Sequence, residues 1–385
     1  MKVFKLIFKN LLRHKLRSAL TVLGLAVAVM SFGLIRTVIG AWNVGLEATS
    51  PNRLITRHSV SFIFPLPVAY KERIASVPGV TGVSFATWFQ GVYIDERNFF
   101  PRMAVDAETF FDLYPELLVP QEDLDAFKKH RNACLVGVKT ARKFNLKPGD
   151  VMTIDGDIFP GRYEFVVQGV YTGRDRATDE TQMFFHWQYL EELLKRDMPV
   201  RAGVVGWYVV QIAEPSQSAQ ISQSVDALFR NSPNETKTET EKAFTQGFIS
   251  MTSTIILAME FISYIIIGII LLVLANTMVM TARERVVEYA VLKTLGFRAL
   301  HIAGLITGES LLIAALGGVS GLLLTFPITH AIAEALSNFF PVFLIETETM
   351  VLAMTFAMVV GIIASILPVY RAMNTSIVEG LRHIG

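Results

Sequence analysis

The densest cluster of charge in the apolar C-terminal part of the chain lies in the segment 281–297, T-A-R-E-R-V-V-E-Y-A-V-L-K-T-L-G-F. Arg283, Glu284, Arg285 and Glu288 fall within two helical turns of one another there. Glu284 and Glu288 are one turn apart, and like charges at that spacing mildly destabilise an isolated helix. Such a stripe invites a basic partner, although Arg285 can satisfy Glu288 locally. Val287, Ala290, Val291 and Leu295 share a face, and Gly296 follows. The chemistry this pattern supports is docking through ion pairs and apolar contact. It does not support making or breaking a bond.

The remaining polar residues offer little catalysis. His58, His130 and His186 lie far apart without recurrent spacing, and no G-x-S-x-G nucleophile turn occurs. No G-x-x-x-x-G-K-[ST] phosphate loop is present, so nucleotide hydrolysis by that chemistry is not expected of this chain. Asp155 and Asp157 flank Gly156, which reads as a hairpin turn rather than a metal loop. Asp175, Asp179 and Glu180 mixed with Arg174 and Arg176 read as a solvated loop. Cys134 is the single cysteine, which excludes an intramolecular disulfide. The expectation is a non-enzyme with no catalytic residue, no metal and no cofactor of its own.

What must position the charged segment is a set of four long apolar stretches, at about 19–39, 255–280, 302–332 and 350–369. Each is near or above the ~20 residues a helix needs to cross the ~30 Å hydrocarbon core. Hydrophobic residues make up 52% of the chain and charged residues 18%, against about 25% charged in soluble proteins. The net charge of +1 hides a segregation: residues 1–46 hold Lys2, Lys5, Lys9, Arg13, Lys15, Arg17 and Arg36 and no acid. By the positive-inside rule that end is cytoplasmic. The second span then returns the chain to the cytoplasm at Arg283, Arg285, Lys293 and Arg298. The loop 334–349 has Glu334, Glu346 and Glu348 without Lys or Arg, as an outside loop should, and the fourth span delivers Arg371 and Arg382 to the inside. The first apolar run continues past Ala26-Val27-Ala28, beyond the ~7–15 residues of a signal-peptide core. Phe4, Ile7, Phe8, Leu11 and Leu12 recur at helical spacing among lysines, the pattern of an amphipathic helix on anionic membrane lipid.

These readings divide the chain into a cytoplasmic amphipathic helix (1–17), a first transmembrane helix (18–42) and an extracytoplasmic domain (43–250). A second transmembrane helix (251–281), a cytoplasmic coupling helix (282–299) and a third transmembrane helix (300–334) follow. An outer loop (335–349), a fourth transmembrane helix (350–370) and a cytoplasmic tail (371–385) complete it. The outer domain reads as α+β. Two strand–helix–strand units form one lobe, about 51–105 with 205–245, and the piece 106–204 is inserted as a second lobe. Its strand candidates include 53–58, 80–89, 207–212 and 236–240 in the first lobe, and 133–136, 151–154 and 163–171 in the second. The fold class is therefore an α-helical membrane protein with four spans and a two-lobed α+β domain between the first and second.

Two carboxylates fall inside the spans, where an ionised acid costs roughly 2.5–3.5 kcal/mol on insertion scales. Glu309 lies a turn or two into the third span and is expected to be partnered. Glu260 lies near the outer end of the second. Gly304 with Gly308, and Gly317 and Gly318 with Gly321, supply the small-residue spacing that lets helices approach closely.

Several motifs carry a family resemblance. Ala282-Arg283-Glu284-Arg285, then Glu288 and Leu295-Gly296, resembles the cytoplasmic coupling segment of MacB/FtsX-type ABC transporter permeases. The run 10–24, N-L-L-R-H-K-L-R-S-A-L-T-V-L-G, is similar to that family's approach to its first span. Glu309-Ser310-Leu311-Leu312 with Gly317, Gly318 and Gly321 resembles its third span. Pro368-Val369-Tyr370-Arg371-Ala372, with Glu379, Gly380, Leu381 and Arg382, resembles its tail. V-G-V-K-T-A-R-K-F at 136–144, with Gly149 and F-V-V-Q-G-V at 165–170, is similar to its outer domain. Tyr289-Ala290 stands where the family usually has Ile-Gly, and Tyr370-Arg371 where it often has Ala-Arg. The resemblance implies a mechanotransmission-type permease in the bacterial inner membrane, working as a homodimer or heterodimer with a separate ABC ATPase subunit that binds the ATP. It implies export or extraction of a hydrophobic or amphipathic substrate, by MacB-like efflux or lipoprotein and lipid release, with a periplasmic adaptor as a further partner and no nucleic acid. The alternative is an FtsX-like signal transducer that activates a periplasmic cell-wall hydrolase without transport.

Overall fold

A computed structural model describes residues 13, 15–47, 49–96, 98–175, 177–251, 253–335 and 342–375. Most of the amphipathic segment expected over 1–17, with Phe4 to Leu12, lies outside the described residues, as does the tail beyond Thr375. The chain forms two compact units, one of Met1–Ala41, Ser253–Ala335 and Phe343–Gly385, the other of Trp42–Thr252 and Leu336–Val342.

Helices Lys15–Glu47, Ser253–Glu284, Ala299–Ala335 and Thr347–Asn374 are each long and apolar enough to span a bilayer. No more than 33% of the most apolar window of any one is buried within the chain, which leaves a broad apolar surface for lipid. Where the helices meet, small residues bring them close. Along the fourth helix Ala353, Ala357, Gly361 and Ala364 form a stripe, and a methyl group on Gly361 would stand 2.8 Å from Ala314 Cβ. Ser310 Oγ donates to the Gly361 carbonyl at 2.6 Å, an interhelical bond between two buried groups. A methyl on Gly321 would meet the Ala26 carbonyl oxygen at 2.6 Å, and one on Gly317 would meet Leu25 Cδ2 at 2.5 Å, so both glycines press on the first helix. Gly318 faces Met354 and Ala357 instead. The expected pair of Gly304 and Gly308 does not behave alike: Gly308 is half-buried, whereas Gly304 is exposed with open space at its Cβ position. Among the described residues nothing lies within 4 Å of its Cβ position, so the spacing alone is not a contact.

The second unit is built on one sheet in the order β12-β1-β11-β3-β4-β9-β6-β8-β5, with β7 paired to β8. Its strands are β1 Arg53–His58, β3 Val80–Trp88, β4 Arg102–Val105, β5 Leu117–Leu118, β6 Ala133–Gly137, β7 Val151–Gly156, β8 Gly161–Gly173, β9 Met183–His186, β11 Trp207–Ile212 and β12 Thr236–Thr240. Short strands β2 Leu66–Pro67 and β10 Val204–Val205 pair separately. β1 and β3 both lie antiparallel to β11, which separates them, and β12 pairs with β1 on the other side. The two strand–helix–strand units therefore interleave as a split βαβ pair. The strands of the inserted segment join this set edge to edge: β3 pairs with β4, and β4 runs parallel to β9.

Side chains alternate between two cores. Leu54, Phe85, Ala104, Cys134, Phe185 and Tyr208 pack on one face, while their neighbours Ile55, Ala86, Val105, Leu135, Phe184 and Val209 pack on the other. This period-two pattern, apolar on both faces, is that of a sheet covered by helices on each side. Asp155 and Gly156 end β7, and Gly156 pairs with Gly161 to close the hairpin to β8. Two acids expected in a solvated loop are bonded to the backbone instead: Asp175 Oδ1 accepts from the Thr178 amide at 3.1 Å, and Glu180 Oε1 from the Gly173 amide at 3.0 Å, while Arg176 lies outside the described residues. These acids are held by backbone donors, which their spacing does not reveal.

Burial pushes the Cys134 thiol well above its usual pKa, so the native cysteine stays silent toward thiol reagents. The positive-inside reading predicts that cysteines introduced at the exposed positions Val200 and Thr347 react with a membrane-impermeant maleimide in intact spheroplasts. One at the exposed Thr294 should react only after permeabilisation. Labelling of Thr294 alone in intact spheroplasts would reverse the topology.

Candidate functional site

The second long helix stops at Glu284, and a new helix runs from Val286 to Thr294. The coupling segment is thus a separate short helix, hinged at Arg285, rather than one element over 282–299. Arg285 has φ −107° and ψ 13°, outside helical values, and this break re-aims everything that follows. Tyr289 and Ala290 turn inward and are buried, while Val291 and Leu295 are exposed. The face expected from Val287, Ala290, Val291 and Leu295 is therefore split between inside and outside. The helix ends with Gly296 at φ 90°, where Phe297 N–H donates to the Leu292 carbonyl and Gly296 N–H to that of Lys293. This is a Schellman ending, and it needs a residue that tolerates the left-handed region.

Arg285 also resolves the acid inside the third span. Its Nη1 donates to Glu309 Oε2 at 2.8 Å and its Nε to Glu288 Oε2 at 3.0 Å. The Arg285 and Glu309 side chains are only 12% and 8% exposed, so the pair is largely removed from water. Lys293 reaches the other way: its Nζ donates to the carbonyls of Ala372, Met373 and Thr375, at 3.1, 3.0 and 2.6 Å. An ammonium there caps the C-terminus of the fourth helix, where the helix dipole favours positive charge.

The acidic stripe has its basic partners within the chain. Arg17 makes a two-pronged contact with Glu284, Nη1 to Oε2 at 2.7 Å and Nη2 to Oε1 at 2.9 Å, and Arg13 pairs with Glu288. Arg13 and Arg17 are four residues apart, as are Glu284 and Glu288, so the two stripes match turn for turn. That equal spacing was the available signal, but nothing in the linear order says that the stripes meet. Arg285 and Arg13 together hold the Glu288 carboxyl below its usual pKa, against the opposing effect of its partial burial. Arg283 is exposed and takes no part in these contacts among the described residues.

The segment 281–297 thus ties the first, third and fourth helices to the end of the second. Toward the opposite end of the same helices a second contact appears: Glu260 lies 3.9 Å from Arg36 of the first helix. Glu260 therefore has a cationic partner inside the chain. Four large apolar side chains of this stretch are open to the surroundings, Val291, Leu295, Phe297 and Leu300, with Leu295 exposed by 70%, beside the exposed polar residues Arg283, Thr294 and Arg298.

The family profile described as a MacB-like periplasmic core domain matches residues 18–228, and the profile of the FtsX-like permease C-terminal region matches residues 260–377. An uncharacterised ABC transporter permease of Bacillus subtilis, YvrN, is 24% identical over 409 residues, covering 98% of each chain. The macrolide export ATP-binding/permease protein MacB of Mannheimia succiniciproducens is 22% identical over 403 residues, which span 99% of this chain and 61% of that protein. Among solved structures, the periplasmic region of MacB from Actinobacillus actinomycetemcomitans aligns with a TM-score of 0.39 and 13% identity, over 53% of this chain and 95% of that one.

The buried pair gives a test of how the site is held. Removing one member of a buried ion pair costs about 3–5 kcal/mol, whereas replacing both by apolar groups is often neutral. Arg285→Met should lower the melting temperature of the detergent-solubilised chain by several degrees, and Arg285→Met with Glu309→Met should recover most of that loss. The exposed pair is different: Arg17→Met should cost on the order of 0–1 kcal/mol. Differential scanning fluorimetry of the three variants reads both outcomes, and equal losses for Arg17→Met and Arg285→Met would refute the assignment.

Proposed function

The chain belongs to the MacB/FtsX family of ABC transporter permeases, and from that premise we propose that it is the membrane subunit of an exporter acting on a hydrophobic or amphipathic substrate. Permeases of this family work with an ABC ATPase. In this reading the ATPase is a separate subunit in the cytoplasm of a bacterial inner membrane. Its ATP-driven motion enters at the short helix Val286–Thr294 and leaves through the domain between the first and second spans.

One observation carries the proposal: the coupling helix is bonded to other long helices by charge, yet its tip presents the large apolar side chains Leu295 and Phe297 outward, between the exposed Thr294 and Arg298. A force-receiving element needs a rigid attachment behind and a docking surface in front. Arg285, Lys293 and the Arg17–Glu284 contact supply the attachment. Leu295, Phe297 and the turn at Gly296 supply a surface of the kind that fills a pocket on a partner. The acids Glu284 and Glu288 then act by orienting the helix, with Arg13 and Arg17 as their counter-charges.

The substrate class rests on the spans. A groove of about 340 Å³ between the first and second long helices is lined by Gly24, Leu25, Ala28, Ile266, Ile269 and Ile270. Its few hydroxyls are already used, Thr21 on the Arg17 carbonyl and Ser31 on that of Val27. Such a lining suits an acyl chain or an apolar ring and gives a hydrophilic solute few groups to bond. A periplasmic adaptor and a permease dimer fit the same scheme. The signal-transducing alternative shares the coupling mechanics, and the MacB-type core matched over residues 18–228 favours the exporter.

The test separates apolar docking from charge docking. Leu295→Asp should reduce co-purification of the ABC ATPase at least tenfold while the chain stays folded, because Leu295 is exposed. Glu284→Lys with Glu288→Lys should loosen the N-terminal attachment and lower ATP-coupled transport with less effect on recruitment. Full recruitment by Leu295→Asp with loss in the double lysine variant would place the docking surface on the acids instead.

A further inference from the structure

Arg53, at the start of β1, has no part in the coupling segment, yet its side chain is only 3% exposed and collects more charged partners than its neighbours. Its Nε donates to Glu241 Oε2 at 2.8 Å. Its Nη1 donates to the Leu113 carbonyl at 2.9 Å and to Glu116 Oε2 at 3.0 Å, and its Nη2 to Glu116 Oε1 at 2.5 Å. The guanidinium also lies over the Tyr114 ring, 4.2 Å from its centroid.

Three segments meet at this side chain. The first is the chain arriving from the long helix that ends at Glu47. The second is the chain departing: Glu241 opens the helix Glu241–Met251, after which the second long helix starts at Ser253. Ser50 N–H donates to the same Glu241 oxygen at 2.8 Å, so arrival and departure are bonded twice. The third is the inserted lobe, through Leu113, Tyr114 and Glu116. Glu116 precedes β5, which pairs with the last residues of β8, Leu117 with Gly173 and Leu118 with Thr172. The Arg174 amide donates to the Glu116 carbonyl at 2.9 Å, which secures that junction. β8 is 13 residues long, about 40 Å at ~3.3 Å per residue, and its far end carries the hairpin to β7.

A stabilising ion pair needs one acid, and apolar side chains of the same volume would hold a core as well. Here two carboxylates share one buried guanidinium. Burial holds Glu241 above its usual pKa despite Arg53 beside it. The arrangement is poor as a stabiliser and well suited to fixing the geometry of three segments. Because the guanidinium is planar and bidentate toward Glu116, it transmits direction as well as displacement.

We propose that Arg53 is the positioning residue through which movement of the two chain connections to the membrane, held together at Glu241, passes to the inserted lobe, by way of Glu116, β5 and β8. The proposal rests on the reading of the chain as a permease that transmits ATP-driven motion.

The experiment uses the full chain with its ABC ATPase in lipid nanodiscs. Spin labels are placed on cysteines at the exposed positions Lys237 on β12 and Val151 on β7, with the buried Cys134 left in place. Double electron–electron resonance is recorded with and without ATP. The parent should show an ATP-dependent shift in the interlabel distance. Glu116→Gln, which leaves the Arg53–Glu241 contact intact, should lose at least half of that shift while ATP hydrolysis stays within about twofold of the parent. Arg53→Met should lose the shift entirely, and if it fails to fold then Glu116→Gln alone decides. A merely structural contact would lower thermal stability and leave the shift unchanged. An unchanged shift in Glu116→Gln overturns the relay. No shift in the parent overturns the reading of the chain as a motion-transmitting permease.

Discussion

A guanidinium removed from water is costly unless it is paired or hydrogen-bonded, and the end of the helical unit around residues 281–297 is arranged around how Arg285 meets that need. Arg285 stands where the second long helix breaks, bonded forward to Glu288 and across to Glu309 of the third helix. The break lets the short helix turn Tyr289 and Ala290 inward while leaving Leu295 outside. Lys293, carried on the same helix, then reaches the C-terminal carbonyls of the fourth helix. Removing Arg285 would take a charged partner from the buried Glu309, which costs far more than an exposed pair contributes.

The packing between the helices follows a different logic. Lipid is as apolar as leucine, so helices in a bilayer gain little by burying large side chains against one another. They associate here where Gly317, Gly321, Ala357 and Gly361 allow close approach, and where Ser310 bonds a carbonyl on a neighbouring helix. Ion pairs flank these contacts, Arg285 with Glu309 toward one end and Arg36 with Glu260 toward the other. Dispersion holds the middle and ion pairs hold the two ends.

In the outer domain the sheet is the common element. Both of its faces are covered, and strands from the inserted segment continue the same ladder through β3, β4 and β9. A continuous hydrogen-bonded sheet resists bending at any single joint, so a motion applied at β1 and β12 is shared along it. Arg53 adds a second route that bypasses most of the strands and reaches β8 through Glu116.

Much of this was legible in the order of residues. Apolar runs of bilayer length at four places determine where the long apolar helices lie, because the hydrocarbon core admits few alternatives. Strands such as β1, β11 and β12 were readable because turn residues bound them and their pattern is local. The motifs around Glu284, Glu309 and Pro368 pointed to the family whose profiles match the chain. Contacts between distant residues could not be read in the same way. The acids at Glu284 and Glu288 advertise a basic partner, but that the partner is Arg13 and Arg17, about 270 positions earlier, depends on how the first and second helices pack. Gly304 and Gly317 carry similar local spacing, yet only Gly317 meets a neighbouring helix. Arg53 is one basic residue among many until folding brings Glu116 and Glu241 to it. Periodicity records which faces are apolar and which are charged. Which face meets which is decided by burial and charge pairing across the whole chain, an energy that no short window of residues contains.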